Sequence, residues 1–308
     1  MRFIKRFIKI FFQILIIFII FFFLFQYFLK NYHKLYQYQF SLHLWYLIIA
    51  IFFFIPCRIL GPFIWKRILF FLGINLSYLD AFKICSLSAL AKYIPGKIWN
   101  LLGRVYLARN NNIPENIVIT SQGIEMILMF FSGVIIFLFS LFLGLDNYLI
   151  KKTIWILAFI PFLILLLYPP IMQIIINFCS KIFHFRQFVV NLKFYNIIET
   201  ILLFMFFWIF SGTAFFFLIR SLIVIPKILL PVIIGIYSIS SIMGSFSFLT
   251  PAGLGVKEGV LSLLLSFYIP LSIAILVSLL ERVLTIVIEL FRAAIIIIVK
   301  RIYQCKIF

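Results

Sequence analysis

Leu249-Thr-Pro251-Ala-Gly253, followed by Gly259, Pro270 and Glu281, repeats punctuation that the chain has already used 156 residues earlier. The earlier copy is Tyr93-Ile-Pro95-Gly96-Lys97, then Gly103, Pro114 and Glu125. Pro to Gly is eight residues in both copies, Pro to Pro nineteen and Pro to Glu thirty. Both copies interrupt long apolar runs. Matched Pro/Gly interruptions in two halves of a membrane chain point to a binding site between structural repeats.

The membrane setting follows from composition. Of 308 residues, 66% are apolar and only 11% charged, and several windows approach about twenty residues without a charge. The expected spans are about 10–29, 42–57, 117–144, 153–179, 197–219 and 271–299. Two further apolar segments, about 79–109 and 230–267, carry the matched interruptions. Lys83, Lys92, Lys97, Arg104 and Arg109 make the first of these too charged for ordinary lipid-facing spans. Irregular backbone at membrane depth must line protein or a cavity, so a re-entrant or broken helix pair is expected in each half. The fold class is therefore all-α, a polytopic helical bundle of six to eight spans in a single membrane domain, residues 1–308. Its two repeat halves cover about 1–145 and 150–308. Three full crossings per half would leave the second half inverted relative to the first.

Arg2, Lys5, Arg6 and Lys9 precede the apolar run from Ile10 to about Phe25. The run is long and no small-residue cleavage site follows it, so it reads as a retained first span. With the N-terminus inside, eighteen Lys and Arg fall on the cytoplasmic side against seven outside, which places both termini in the cytoplasm. The formal charge of +19 is mostly this bias, not a nucleic-acid footprint, and its surplus favours anionic lipid head groups. Cys57, Cys85, Cys179 and Cys305 are scattered, and His33, His43 and His184 share no ligand spacing. A disulfide framework, a metal site and a cofactor are not expected.

Chemistry must then come from the spans and their interruptions. At the first, Pro95 and Gly96 break the helix, so the next segment starts with unpaired N–H groups and a positive dipole end. Lys92, Lys97 and Arg104 add cations suited to phosphate. A plain turn with snorkelling basic side chains is the competing reading. At the second, Gly253, Gly255 and Gly259 permit close backbone approach or positive φ, and Lys257-Glu258 follows at an expected helix start. Here the alternatives are a gate and a tight helix crossing through small residues. Only eight acidic residues exist, and Glu125, Glu281 and Glu289 fall inside expected spans. Glu281, Thr285, Glu289 and Arg292 share one helix face. Intramembrane charges at this density mark function, or else an ion-pair network that fixes packing. Glu125 and Glu281 are repeat-related: as neighbours they would share a proton, and otherwise each pairs with Arg104 or Arg282.

Lys92-Tyr-Ile-Pro-Gly-Lys97-Ile-Trp with Gly103-Arg104, Glu125, Thr250-Pro-Ala-Gly-Leu-Gly-Val-Lys-Glu258 and Glu281-Arg282 resembles the lysylphosphatidylglycerol synthase transmembrane, or flippase-like, family. The resemblance runs from about Ser41 to Arg292. It implies a polytopic protein of a bacterial or archaeal inner (plasma) membrane, handling aminoacylated phosphatidylglycerol in some members and lipid-linked sugars in others. It also implies a functional core of Pro95, Gly96, Arg104, Glu125, Pro251, Gly253, Gly255, Glu258, Glu281 and Arg282. These 308 residues hold no aminoacyl-transferase domain, so lysyl transfer is not expected of them. The expected function is movement of an anionic phospholipid or a polyprenyl-phosphate-linked head group between leaflets, without catalysis. Membrane lipids are the expected partners, together with glycosyltransferases or other envelope-biosynthesis proteins. The alternatives are an integral membrane transferase, for which no D-x-D or paired loop carboxylates appear, and an accessory subunit in polysaccharide or lipid assembly.

Overall fold

Pro56 and Pro62 do not end the helix that contains them. Helix α1 runs from Leu44 to Phe71 through both, so the span expected over 42–57 continues well beyond Cys57. A membrane helix tolerates proline because neighbouring groups re-satisfy the freed carbonyls. The basic side chain of Arg67, near the end of this helix, is accommodated as well. Arg67 forms a two-pronged pair with Glu199, Nε to Oε1 at 2.7 Å and Nη2 to Oε2 at 2.9 Å. Its guanidinium lies 5.4 Å from the Phe70 ring and 5.1 Å from the Phe71 ring.

This computed structural model describes residues 42–94, 98–144, 193–247, 250 and 253–305. The expected spans at 10–29 and 153–179 lie outside the described residues. After α1 come α2 (Tyr78–Leu90), a 3₁₀ turn (Ala91–Tyr93), α3 (Ile98–Ala108), α4 (Glu115–Gly144), α5 (Phe194–Arg220), α6 (Leu230–Phe246), α7 (Val256–Leu265) and α8 (Leu271–Cys305). No strand occurs among the described residues. The chain is an all-α polytopic membrane protein, and five segments among the described residues are long and apolar enough to cross a bilayer: Leu44–Phe71, Glu115–Leu143, Phe194–Arg220, Lys227–Phe246 and Leu271–Ile298.

The matched punctuation does matched work. Pro114 and Pro270 each stand immediately before a long span, α4 and α8. The Pro114 carbonyl accepts the N–H groups of Ile117 and Val118, and the Pro270 carbonyl accepts those of Ile273 and Ala274. Proline suits this place because the first helical donors have no intrahelical partner to lose. Upstream of each span the helix breaks into two pieces, α2 and α3 before α4, α6 and α7 before α8.

The described helices fall into two compact units. One, the span unit, comprises 42–78, 108–144 and 193–242, and therefore α1, α4, α5 and most of α6. Its core joins Ile64 and Ile68 of α1, Ile124, Leu128 and Phe131 of α4, and Ile197, Ile201 and Phe204 of α5. Lipid is as apolar as these side chains, so their association rests on close packing and interhelical hydrogen bonds. Trp65 Nε1 donates to Ser121 Oγ at 2.9 Å, and Trp208 Nε1 donates to Ser132 Oγ at 3.1 Å. Such bonds contribute about 0.6 kcal/mol each. Gly212 lets α5 meet α6, since a Cβ there would lie 2.8 Å from Ile234 Cγ1.

The other, the break unit, comprises Leu79–Leu107 together with the described residues from Met243 onward. It thus collects both Pro/Gly interruptions and the last span, α8.

Candidate functional site

The second interruption is built on glycine backbone. Gly253 has φ +66° and Gly255 φ +82°, conformations that a side chain rarely adopts. A Cβ on Gly253 would strike the backbone of Gly244, its carbonyl oxygen above all, with Gly244 C at 2.6 Å and Cα at 2.8 Å. A Cβ on Gly244 would lie 2.8 Å from Lys257 Cβ. The bend therefore folds back against the end of α6 and sets the start of α7 beside it. Gly255 N–H donates to Glu258 Oε2 at 2.7 Å, which satisfies an orphan donor at the head of α7.

From that head, α7 and α8 form an antiparallel pair across the turn at Ser266–Pro270. Two adjacent opposite charges on α7 face two on α8. Lys257 Nζ donates to Glu281 Oε1 at 2.9 Å, and Arg282 Nε lies 3.5 Å from Glu258 Oε1. Farther along the same seam, Ser262 Oγ and Ser278 Oγ are 2.8 Å apart, and Ser262 Oγ also donates to the Glu258 carbonyl. Thr285 Oγ1 donates to Glu281 Oε1 at 2.9 Å. Glu258 and Glu281 are fully buried, and Lys257 and Arg282 nearly so.

A third pair ties in the first interruption. Lys92 Nζ donates to Glu289 Oε1 at 2.6 Å, and the Tyr93 hydroxyl donates to Glu289 Oε2 at 2.8 Å. Cations lie near the Tyr93 ring, Lys92 Nζ at 5.1 Å and Arg282 Cζ at 5.7 Å from its centroid. Arg104, on α3, is buried at 8% exposure. Arg292 of α8 stands 5.7 Å from the Phe82 ring of α2. Both interruptions are thus bonded to one helix, α8.

Of the expected site residues, Lys92, Arg104, Gly253, Gly255, Glu258, Glu281 and Arg282 share the break unit. Pro95, Gly96, Lys97 and Pro251 lie outside the described residues. Glu125 stands partly buried on α4, in the span unit. Sequence reasoning left three participants off its site: Lys257, Tyr93 and Glu289. Glu289 was legible as a charge two turns beyond Glu281 on the same face, but its partner is 197 residues away. Gly244 carried no signal, being one small residue in an apolar run.

Compared with known families, residues 3–291 match the model described as the lysylphosphatidylglycerol synthase TM region. That range holds both interruptions and all three ion pairs of the site. Among curated proteins, none matches the chain.

Proposed function

Because the chain belongs to the lysylphosphatidylglycerol synthase TM-region family, we propose that it is a flippase-like transporter, moving an anionic phospholipid or polyprenyl-phosphate-linked head group between leaflets. The family suggests a membrane protein of lipid or envelope biosynthesis or transport, and the finer reading rests on charge. Residues 79–107 and 243–305, which belong to the break unit, carry nine Lys or Arg and four Asp or Glu. Arg104, Lys257 and Arg282 are buried among them. Charges at this density inside a membrane-spanning protein mark function by default, and basic side chains beside a Pro/Gly break suit an anionic head group. The setting is the inner membrane, with both termini cytoplasmic and envelope-biosynthesis enzymes as neighbours.

In this reading Lys92, Lys97 and Arg104, beside the Pro95-Gly96 break, receive the phosphate. The Pro251, Gly253 and Gly255 bend is the opposing gate, held by Glu258, Glu281 and Arg282. The test is leaflet exchange of fluorescent phosphatidylglycerol and a short polyprenyl-phosphate sugar in liposomes holding the purified protein. Arg104→Ala and Glu281→Gln abolish exchange while membrane insertion persists. Wild-type exchange rates in both variants would remove these residues from the site, and no exchange by the correctly inserted wild type would turn the reading toward a transferase or an accessory subunit.

A further inference from the structure

We propose that Glu289 is the resident counter-ion of the anion site, occupying Lys92 and Tyr93 until an anionic head group displaces it. This inference rests on the function proposed above and adds to it how the empty site is kept closed.

Three observations carry it. The two donors address the two oxygens of one carboxylate, Lys92 Nζ at 2.6 Å and the Tyr93 hydroxyl at 2.8 Å. That arrangement of two donors on two oxygens of one anionic group also suits a phosphate. Next, the two ends of the pair differ in access. The Lys92 side chain is 27% exposed and the Glu289 side chain 3%, so an incoming anion reaches the cation while the carboxylate stays covered. Third, the donors sit on a three-residue 3₁₀ turn that ends at Ile94 in extended conformation, φ −72° and ψ +133°. A turn this short has little hydrogen-bonded structure to lose when it changes partner.

The energetics suit exchange. A buried ion pair adds little net stability, because desolvating its members offsets their attraction. Trading one anion for another keeps Lys92 partnered, and the head group must offset the cost of leaving the Glu289 carboxylate, 3% exposed, without that cation. A phosphate arriving at Lys92 and the Tyr93 hydroxyl also meets Arg282, whose guanidinium already lies 5.7 Å from the Tyr93 ring centroid. The released Glu289 belongs to α8, two turns beyond Glu281, which receives Lys257 from the glycine bend. Head-group binding at the first interruption thus alters the helix that holds the second.

The measurement is binding of brominated phosphatidylglycerol and brominated phosphatidylcholine to the purified full chain, read by tryptophan quenching. Glu289→Gln keeps the shape of the side chain but removes the competing charge. It tightens phosphatidylglycerol about tenfold, the equivalent of about 1.4 kcal/mol, and leaves phosphatidylcholine unchanged. Lys92→Gln weakens phosphatidylglycerol by a similar factor. Should Glu289→Gln not fold, Glu289→Asp, which draws the carboxylate back by one methylene, gives a smaller tightening in the same direction. A merely structural Glu289 would shift both lipids alike or neither, and that result overturns the proposal. If Lys92→Gln and Arg104→Ala weaken phosphatidylglycerol while neither Glu289 variant tightens it, the counter-ion role alone is lost. If those two cation variants bind and exchange phosphatidylglycerol as wild type does, the anion site itself is refuted and the counter-ion with it.

Discussion

Single residues in the break unit are held by charge, and the charges are interdependent. Glu281 is fully buried and receives Lys257 and Thr285. Removing one member of such a pair leaves the other charged in an apolar setting, at a cost of about 3–5 kcal/mol. Replacing both with apolar groups of similar volume is near neutral. Lys257→Met should therefore lower thermal stability in detergent much more than Lys257→Met combined with Glu281→Leu. Equal losses in the single and double variants would mean that the pair is not electrostatically coupled. The sequence showed these charges inside apolar windows. It did not show which carboxylate each cation takes, since Arg282, next to Glu281 in the chain, is ion-paired with Glu258 across the seam.

Elements are decided by backbone, and here the repeated pattern was a good but uneven guide. The described helices end on either side of the Pro/Gly clusters: the 3₁₀ turn after α2 ends at Tyr93 and α3 begins at Ile98, while α6 ends at Phe246 and α7 begins at Val256. The individual glycines differ in what they do. Gly259, the residue matched to Gly103, lies within helix α7, and a Cβ added there would meet nothing within 4 Å. Gly253, which has no glycine counterpart, carries positive φ and rests against Gly244. Gly259→Ala should therefore stabilise α7 by up to about 1 kcal/mol. Gly253→Ala should destabilise by more than that, because the strained φ and the collision with Gly244 add. Thermal unfolding of the two variants checks the contrast, and equal effects would show that the bend tolerates a side chain. Spacing alone could not rank the glycines, because Gly244 lies in an apolar helix with no turn signal. The span expected to end near residue 57 likewise continues, with Pro56 and Pro62 inside one helix, to Phe71.

At the scale of the whole molecule, repeat and compact unit divide the chain differently. The repeat suggests halves of about 1–145 and 150–308, each with two spans, a broken pair and a closing span. Compactness instead groups Leu79–Leu107 with the residues from Met243 onward. The shared interval of 156 residues gave the order of elements, but it could not say which broken pair lies with which span. That depends on side chains distant in sequence, such as Lys92 and Glu289. Orientation is where composition speaks for the whole chain. In the proposed orientation, with both termini cytoplasmic, eighteen Lys and Arg lie inside against seven outside, a bias that acts through the short loops flanking each span. A green fluorescent protein fused after Phe308 should fluoresce, and alkaline phosphatase at the same place should be inactive. Active phosphatase there would reverse the orientation, moving Lys92 and Arg104 to the outer leaflet and the proposed capture of the head group with them.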